Sequence, residues 1–189
     1  MPLKYIILLA LLAIIAIAIF YGVGSVTERA QDKAYAELKA LPAVAKDFTT
    51  PEGSILCLED AYRRHDIEAA VAAKDFKTEA RLMLQNTGFK ESIDDEMIAK
   101  IAEALVLSYR AHTTARWPNF EGKESFFTKR EPHSDKVVVV TEVCRFPDHG
   151  FSMQRLLVTE TPHGWRVLNP LGDRVNRKDT KGAERKPEE

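Results

Sequence analysis

The hydrophobic period of this chain changes once, near Pro118, and that change limits the folds open to it. Before Pro118, apolar residues recur at helical spacing: Ile55, Leu58 and Tyr62 stand at i, i+3 and i+7, and Ile98, Ile101, Ala102, Leu105 and Tyr109 share one side of a longer run. Thr50 can cap the first helix, whose opening position is Pro51, a residue that loses nothing there because that N–H has no helical partner. A second helical pattern covers Ile67 to Phe76 after the joint His65-Asp66, a third covers Ala80 to Gln85 before Gly88, and the longest covers Glu96 to His112. After Pro118 apolar and polar residues alternate, the period of a half-buried strand. Four strands are expected, at Lys123 to Glu131, Lys136 to Phe146, Phe151 to Thr161 and Gly164 to Leu168, separated by clusters of turn residues. Helices first and an antiparallel meander last specify an α+β domain, with the helices covering one face of a curved sheet.

Ahead of this domain stands an apolar run without charge, Tyr5 to Gly24. A run of ~20 apolar residues matches the bilayer core, whereas a cleavable leader usually has an apolar stretch of only ~7 to 15. The expectation is an uncleaved transmembrane anchor over 1–25; a leader removed after Gly22-Val23-Gly24 is the alternative. Residues 26–49 follow as a helical stalk and linker, rich in Ala, Glu, Lys and Gln until Pro42 stops the helix. Arg29, Lys33 and Lys39 beyond the run favour a cytoplasmic domain by charge count. The short basic start, however, has the form of a bacterial signal-anchor, and long domains cross largely regardless of charge. The placement expected is single-pass in a bacterial inner membrane with the domain outside the cytoplasm. The domain itself spans 50–171, and 172–189, almost devoid of apolar residues, reads as a disordered tail.

A formal net charge of -1 lacks the basic excess that phosphate neutralisation demands, so nucleic acid is set aside as a partner. The two cysteines, Cys57 and Cys144, show no zinc-ligand spacing and are either one disulfide or two buried thiols. No metal is expected among the five histidines. His149 and His163 lie in turns at opposite ends of a meander, roughly 30 Å apart at ~3.3 Å per residue. Neither a nucleophile elbow nor a phosphate-cradling glycine loop occurs, and no cofactor is indicated.

Two groups of residues stand out as site candidates. If a two-residue loop closes the hairpin between Phe146 and Phe151, Glu142 and Arg155 share a sheet face with Val140, Cys144, Met153 and Leu157. Glu142, Arg155, Met153 and Cys144 would then line a pocket, or the charged pair would be a cross-strand salt bridge; a three-residue loop reverses the parity. The cluster Tyr109, His112, Arg116, Trp117 and Phe120 has the composition of a protein-contact surface, or holds the long helix to the sheet.

The segments PEGSILCLEDAYRRHDIEAAVAAKDF and GWRVLNPL, in this order, resemble the nuclear transport factor 2-like superfamily of α+β cones. The stretch AYRRHDIEAAVAAKDFKTEARLML resembles in particular the immunity-protein branch of bacterial polymorphic toxin systems. Enzymes of the superfamily, such as ketosteroid isomerase, place a carboxylate or histidine base in the cone. Here only Glu142 beside Arg155 fits that role, and an adjacent Arg lowers a carboxylate's pKa, the wrong direction for such a base. The resemblance, joined to the expected anchor over 1–25, therefore implies a non-catalytic, membrane-anchored domain that neutralises a toxin by protein contact. The alternatives are a small-molecule-binding or isomerase-like protein, or an accessory factor of an envelope complex. Homodimers occur in this superfamily and are compatible with the sequence.

Overall fold

The computed structural model describes residues 31–87, 93–147 and 150–168. The chain divides into two compact units, Met1–Pro42 and Ala43–Glu189. In the first, residues 31–39 are helical, and Lys33 and Glu37 lie one turn apart with 4.0 Å between their charged atoms. The second unit carries helices α1 (Pro51–Arg63), α2 (Ile67–Ala72), α3 (Phe76–Asn86) and α4 (Asp95–Ala115), then strands β1 (Glu124–Ser134), β2 (Val137–Phe146), β3 (Gly150–Thr161) and β4 (Gly164–Val167).

Each helix begins where a short polar side chain takes up an orphan N–H. The Thr50 hydroxyl accepts from Gly53 N at 3.0 Å, Asp66 from Ala69 N, Asp75 from Lys77 N and Thr78 N, and Asp94 from Met97 N. Asp75 explains why the helical pattern expected over Ile67 to Phe76 ends early. It caps a new helix, and the residue before it, Lys74, leaves the helix to form a parallel bridge with Val167.

The four strands pair antiparallel in sequence order, β1-β2-β3-β4. Strand β1 runs past Glu131 through Pro132, which an edge strand tolerates because one of its sides needs no ladder donor. The helices bury Ile55, Leu58, Ala61, Ala70 and Ala73 against Val140, Val158 and Val167 of the sheet. A second cluster joins α3 to α4 through Phe76, Ala80, Leu84, Ile98 and Ala102.

Two expectations are corrected. The sheet is not strongly curved and forms no cone. Bending a sheet takes bulges or glycine kinks. Here β2 and β3 pair over ten consecutive positions without a shift, and the register shifts, at Phe127/Lys129 and Pro132/Ser134, are confined to β1 against β2. Nor is any helix among the described residues long and apolar enough to cross a membrane. A span needs ~20 apolar residues in succession, whereas the 21-residue α4 carries Glu96, Lys100, Glu103 and Arg110. The run Tyr5 to Gly24 lies outside the described residues, as does the tail 172–189. The transmembrane helix, the bilayer as a partner and the single-pass inner-membrane placement are therefore not retained.

The turn into β4 has little room. Gly164 has φ +93°, and a Cβ there would run into the carbonyl oxygen of Phe48, which accepts from Trp165 N at 2.8 Å. Gly150 has φ +69° with nothing within 4 Å of the added atom. Gly164→Ala should therefore lower stability by ~2 kcal/mol or more and Gly150→Ala by ~1 kcal/mol. Urea melts of the two variants check the order; equal losses would show that the Phe48 contact is unimportant.

Candidate functional site

At the centre of the second unit, helix α1 and the sheet enclose three charged side chains that have almost no solvent. Glu59 of α1, Lys123 just before β1, and Glu142 of β2 are 3%, 7% and 0% exposed. The Lys123 ammonium pairs with Glu59 Oε1 and stands 2.7 Å from Glu142 Oε1. Ser125 of β1 donates to Glu59 Oε2 at 3.0 Å, Arg63 approaches the same oxygen at 3.4 Å, and Gln154 of β3 donates to Glu142 Oε2 at 2.6 Å. Glu142 Oε1 has the ammonium beside it but no hydrogen bond of acceptable direction. Its attraction to Lys123 is therefore that of nearby charges, without the added directional bond.

One cation between two buried carboxyls cannot neutralise both. Burial, and then the charge of Glu142, push the Glu59 carboxyl up to about 7, against the pull of Lys123. Burial also works to raise Glu142. The nearby Lys123 charge, with the hydrogen bond from Gln154, overcomes it and holds that carboxyl below the usual range. Burial tends to lower Lys123, but the two carboxylates outweigh it and keep the amine a firm cation. Near neutrality the cluster is an ionised Glu142, a charged Lys123 and a Glu59 poised to hold or release one proton.

Beside this cluster lies a cavity of about 140 Å³. Apolar walls come from Ile55, Leu58, Leu156, Val167 and Leu168, and the polar groups reaching it are Glu59, Tyr62, Lys74 and Gln154. Tyr62 and Tyr109 share a hydroxyl–hydroxyl bond of 2.7 Å, and burial is the main cause raising both phenols above their ordinary value. Phe120 stacks on Tyr62 at 5.5 Å between centroids and lies 4.7 Å from the Lys123 ammonium.

The register decides where the residues singled out from the sequence stand. Phe146 pairs with Gly150, leaving three residues in the loop, and so Glu142 faces Gln154 while Arg155 faces Thr141 and Met153 faces Val143. Glu142 and Cys144 point to the α1 side of the sheet with Gln154 and Leu156. Arg155 and Met153 lie on the other side, Arg155 bonding Glu131 at 3.3 Å and Met153 at 71% exposure. Cys57 and Cys144 are both free, and burial pushes the Cys144 thiol up to about 11. Of the aromatic and basic cluster, Tyr109 and Phe120 converge on Tyr62, and Trp117 stacks on His65 at 4.9 Å. His112 and Arg116 are exposed at the end of α4, where His112 Nδ1 lies 2.8 Å from Ser108 O. Sequence reasoning passed over Glu59, Lys123 and Lys74. Only Glu59 carried a signal, since four residues after Ile55 it falls on the apolar stripe of α1.

No protein-family model and no curated protein sequence matches this chain. Two solved structures do. One is a Campylobacter jejuni protein described provisionally as an NTF2-like transpeptidase, 12% identical, with a TM-score of 0.35 over 64% of this chain and 98% of that one. The other is an NTF-2 like protein of unknown function from Shewanella oneidensis, 15% identical, with a TM-score of 0.33 over 62% and 94%. Both likenesses are distant and partial, and neither extends to an immunity-protein branch. The reading as a membrane-anchored immunity protein is corrected accordingly. It required a spanning helix that the described residues do not contain, and neither match bears on a toxin or envelope protein as partner.

The cluster makes two measurable demands on stability. Lys123→Met leaves two buried carboxyls without their cation and should cost ~3 to 5 kcal/mol in urea unfolding at pH 7. Glu59 binds its proton more tightly folded than unfolded, so its contribution to stability is full below pH 4.5 and lost as pH rises to about 7. Glu142, with its pKa lowered, acts below that window. Glu59→Gln should flatten the stability profile between pH 4.5 and 7; an unchanged slope would assign it to another group.

Proposed function

We propose that this domain binds a small, largely apolar molecule in the cavity between α1 and the sheet, with the ligand's polar group meeting the ionisable side chains that line the space. The observation that carries the reading is the meeting of ionisable side chains and apolar walls around one partly open cavity. A few polar groups set among hydrocarbon is the composition of ligand sites, and it is an expensive way to line a space that holds nothing. The volume, about 140 Å³, limits the ligand. Drug-sized molecules need roughly 300 Å³ or more, whereas a cavity near 150 Å³ takes a molecule the size of benzene.

Binding rather than turnover is favoured by the state of the carboxyls. Both oxygens of Glu59 and one of Glu142 already accept hydrogen bonds from protein donors, and the other Glu142 oxygen lies 2.7 Å from the Lys123 ammonium, so neither carboxyl is placed as a free base. Gln154, exposed and bonded to Glu142, stands where the cavity meets solvent.

Titration with benzyl alcohol, phenol and cyclohexanol, followed by amide shifts in two-dimensional NMR, tests this reading. Saturable shifts confined to the neighbourhood of Tyr62, Gln154 and Leu156 are expected. A ligand at ten times its Kd should add about 1.4 kcal/mol to stability. Leu156→Trp, which fills the cavity, should abolish the effect. Absence of saturable shifts with all three compounds would overturn the proposal.

A further inference from the structure

Lys74 is placed on the cavity wall by its backbone. Val167 N donates to Ala73 O at 2.9 Å and Asp75 N donates to Val167 O at 3.2 Å, so the residue between them is held against β4 as a short parallel bridge. From there its side chain, 2% exposed, runs into the interior. The amine lies 3.8 Å from Glu79 Oε2 and 5.5 and 5.4 Å from the ring centroids of Phe76 and Tyr109. A lysine held this way has lost most of the hydration that favours its charged form. Burial brings it down to about 8, with Glu79 working in the opposite direction. Roughly a tenth of such an amine is neutral at pH 7, against well under a thousandth for an ordinary lysine.

We propose that Lys74 is the nucleophile of a carbonyl-capturing site, its amine condensing reversibly with the aldehyde or ketone group of a small ligand seated in the cavity. The inference rests on the cavity being a ligand site and names the class of ligand. The nitrogen lone pair attacks the carbonyl carbon and forms the C–N bond, while the C=O π pair moves to oxygen, which takes up a proton. The nitrogen gives up its two protons, with Glu79 the nearest carboxylate to relay them, and the C–O bond breaks with departure of water as the C=N bond forms. One carbonyl and one amine give one imine and one water, so no oxidant or reductant enters. The apolar walls contributed by Leu58, Leu156 and Val167 keep bulk water from reversing the step at once.

Reductive trapping reads this out directly. The full chain is incubated with benzaldehyde and sodium cyanoborohydride at pH 7, and the modified lysines are located by peptide mass spectrometry. Lys74 is expected to carry the benzyl adduct at least ~tenfold faster than the exposed lysines, because a neutral amine is the reactive form. Lys74→Arg should remove that fast phase and leave the surface lysines unchanged. Labelling of Lys74 no faster than the surface lysines overturns the proposal. A parallel NMR titration with benzyl alcohol, which cannot condense, separates the two readings. Alcohol binding without fast Lys74 labelling overturns covalent capture alone, and failure of both overturns the ligand site as well.

Discussion

One ammonium group shared by two buried carboxyls organises this domain. Lys123 draws Glu59 of α1 and Glu142 of β2 to the same point, and Ser125 and Gln154 add β1 and β3. Helix and sheet are thereby fixed in register by a contact that admits few alternative geometries, whereas apolar packing alone tolerates sliding. Charge also has to balance. With a single buried cation between them, one carboxyl ionises fully and the other keeps its proton over much of the acidic range. Replacing such clusters with hydrocarbon is frequently neutral or stabilising, so gross stability is a weak reason for having one. A site that must present a polar group inside an apolar space is a better reason.

The rest of the architecture leads toward that space from two sides. The cluster around Ile55, Leu58, Val140 and Val158 seats α1 on the sheet, and the cluster around Phe76, Leu84 and Ile98 fastens α3 to α4. Tyr109 packs against both, and its hydroxyl bond to Tyr62 connects α4 to α1. Lys74 sits where these two bodies of packing meet, between Phe76 and Tyr109 on one hand and β4 on the other.

Much of the outline was legible before the structure. The Thr50-Pro51 start, the long helix near Glu96 to His112 and the four-strand meander follow from capping chemistry and from period, both of which are local. Sheet shape and parity were not. Whether Glu142 faces Gln154 or Arg155 turns on a single residue of loop length, and the cone depended on bulges that alternation alone does not reveal. Glu59 was visible as a charge on an apolar stripe. Lys123, in a glycine turn, and Lys74, between two helices, look like solvated lysines until long-range pairing turns them inward.

The pairing of Lys74 with Val167 has an effect at the border of the sheet as well. Strand β4 would otherwise offer a row of open amides and carbonyls, but Phe48 O takes one and the short stretch 73–75 takes others. On the far border, β1 presents Lys129, Arg130 and Pro132, a sequence that resists being used as a template. Growth of the sheet by a visiting strand, the commonest accident of exposed β structure, is hindered on both sides of this domain.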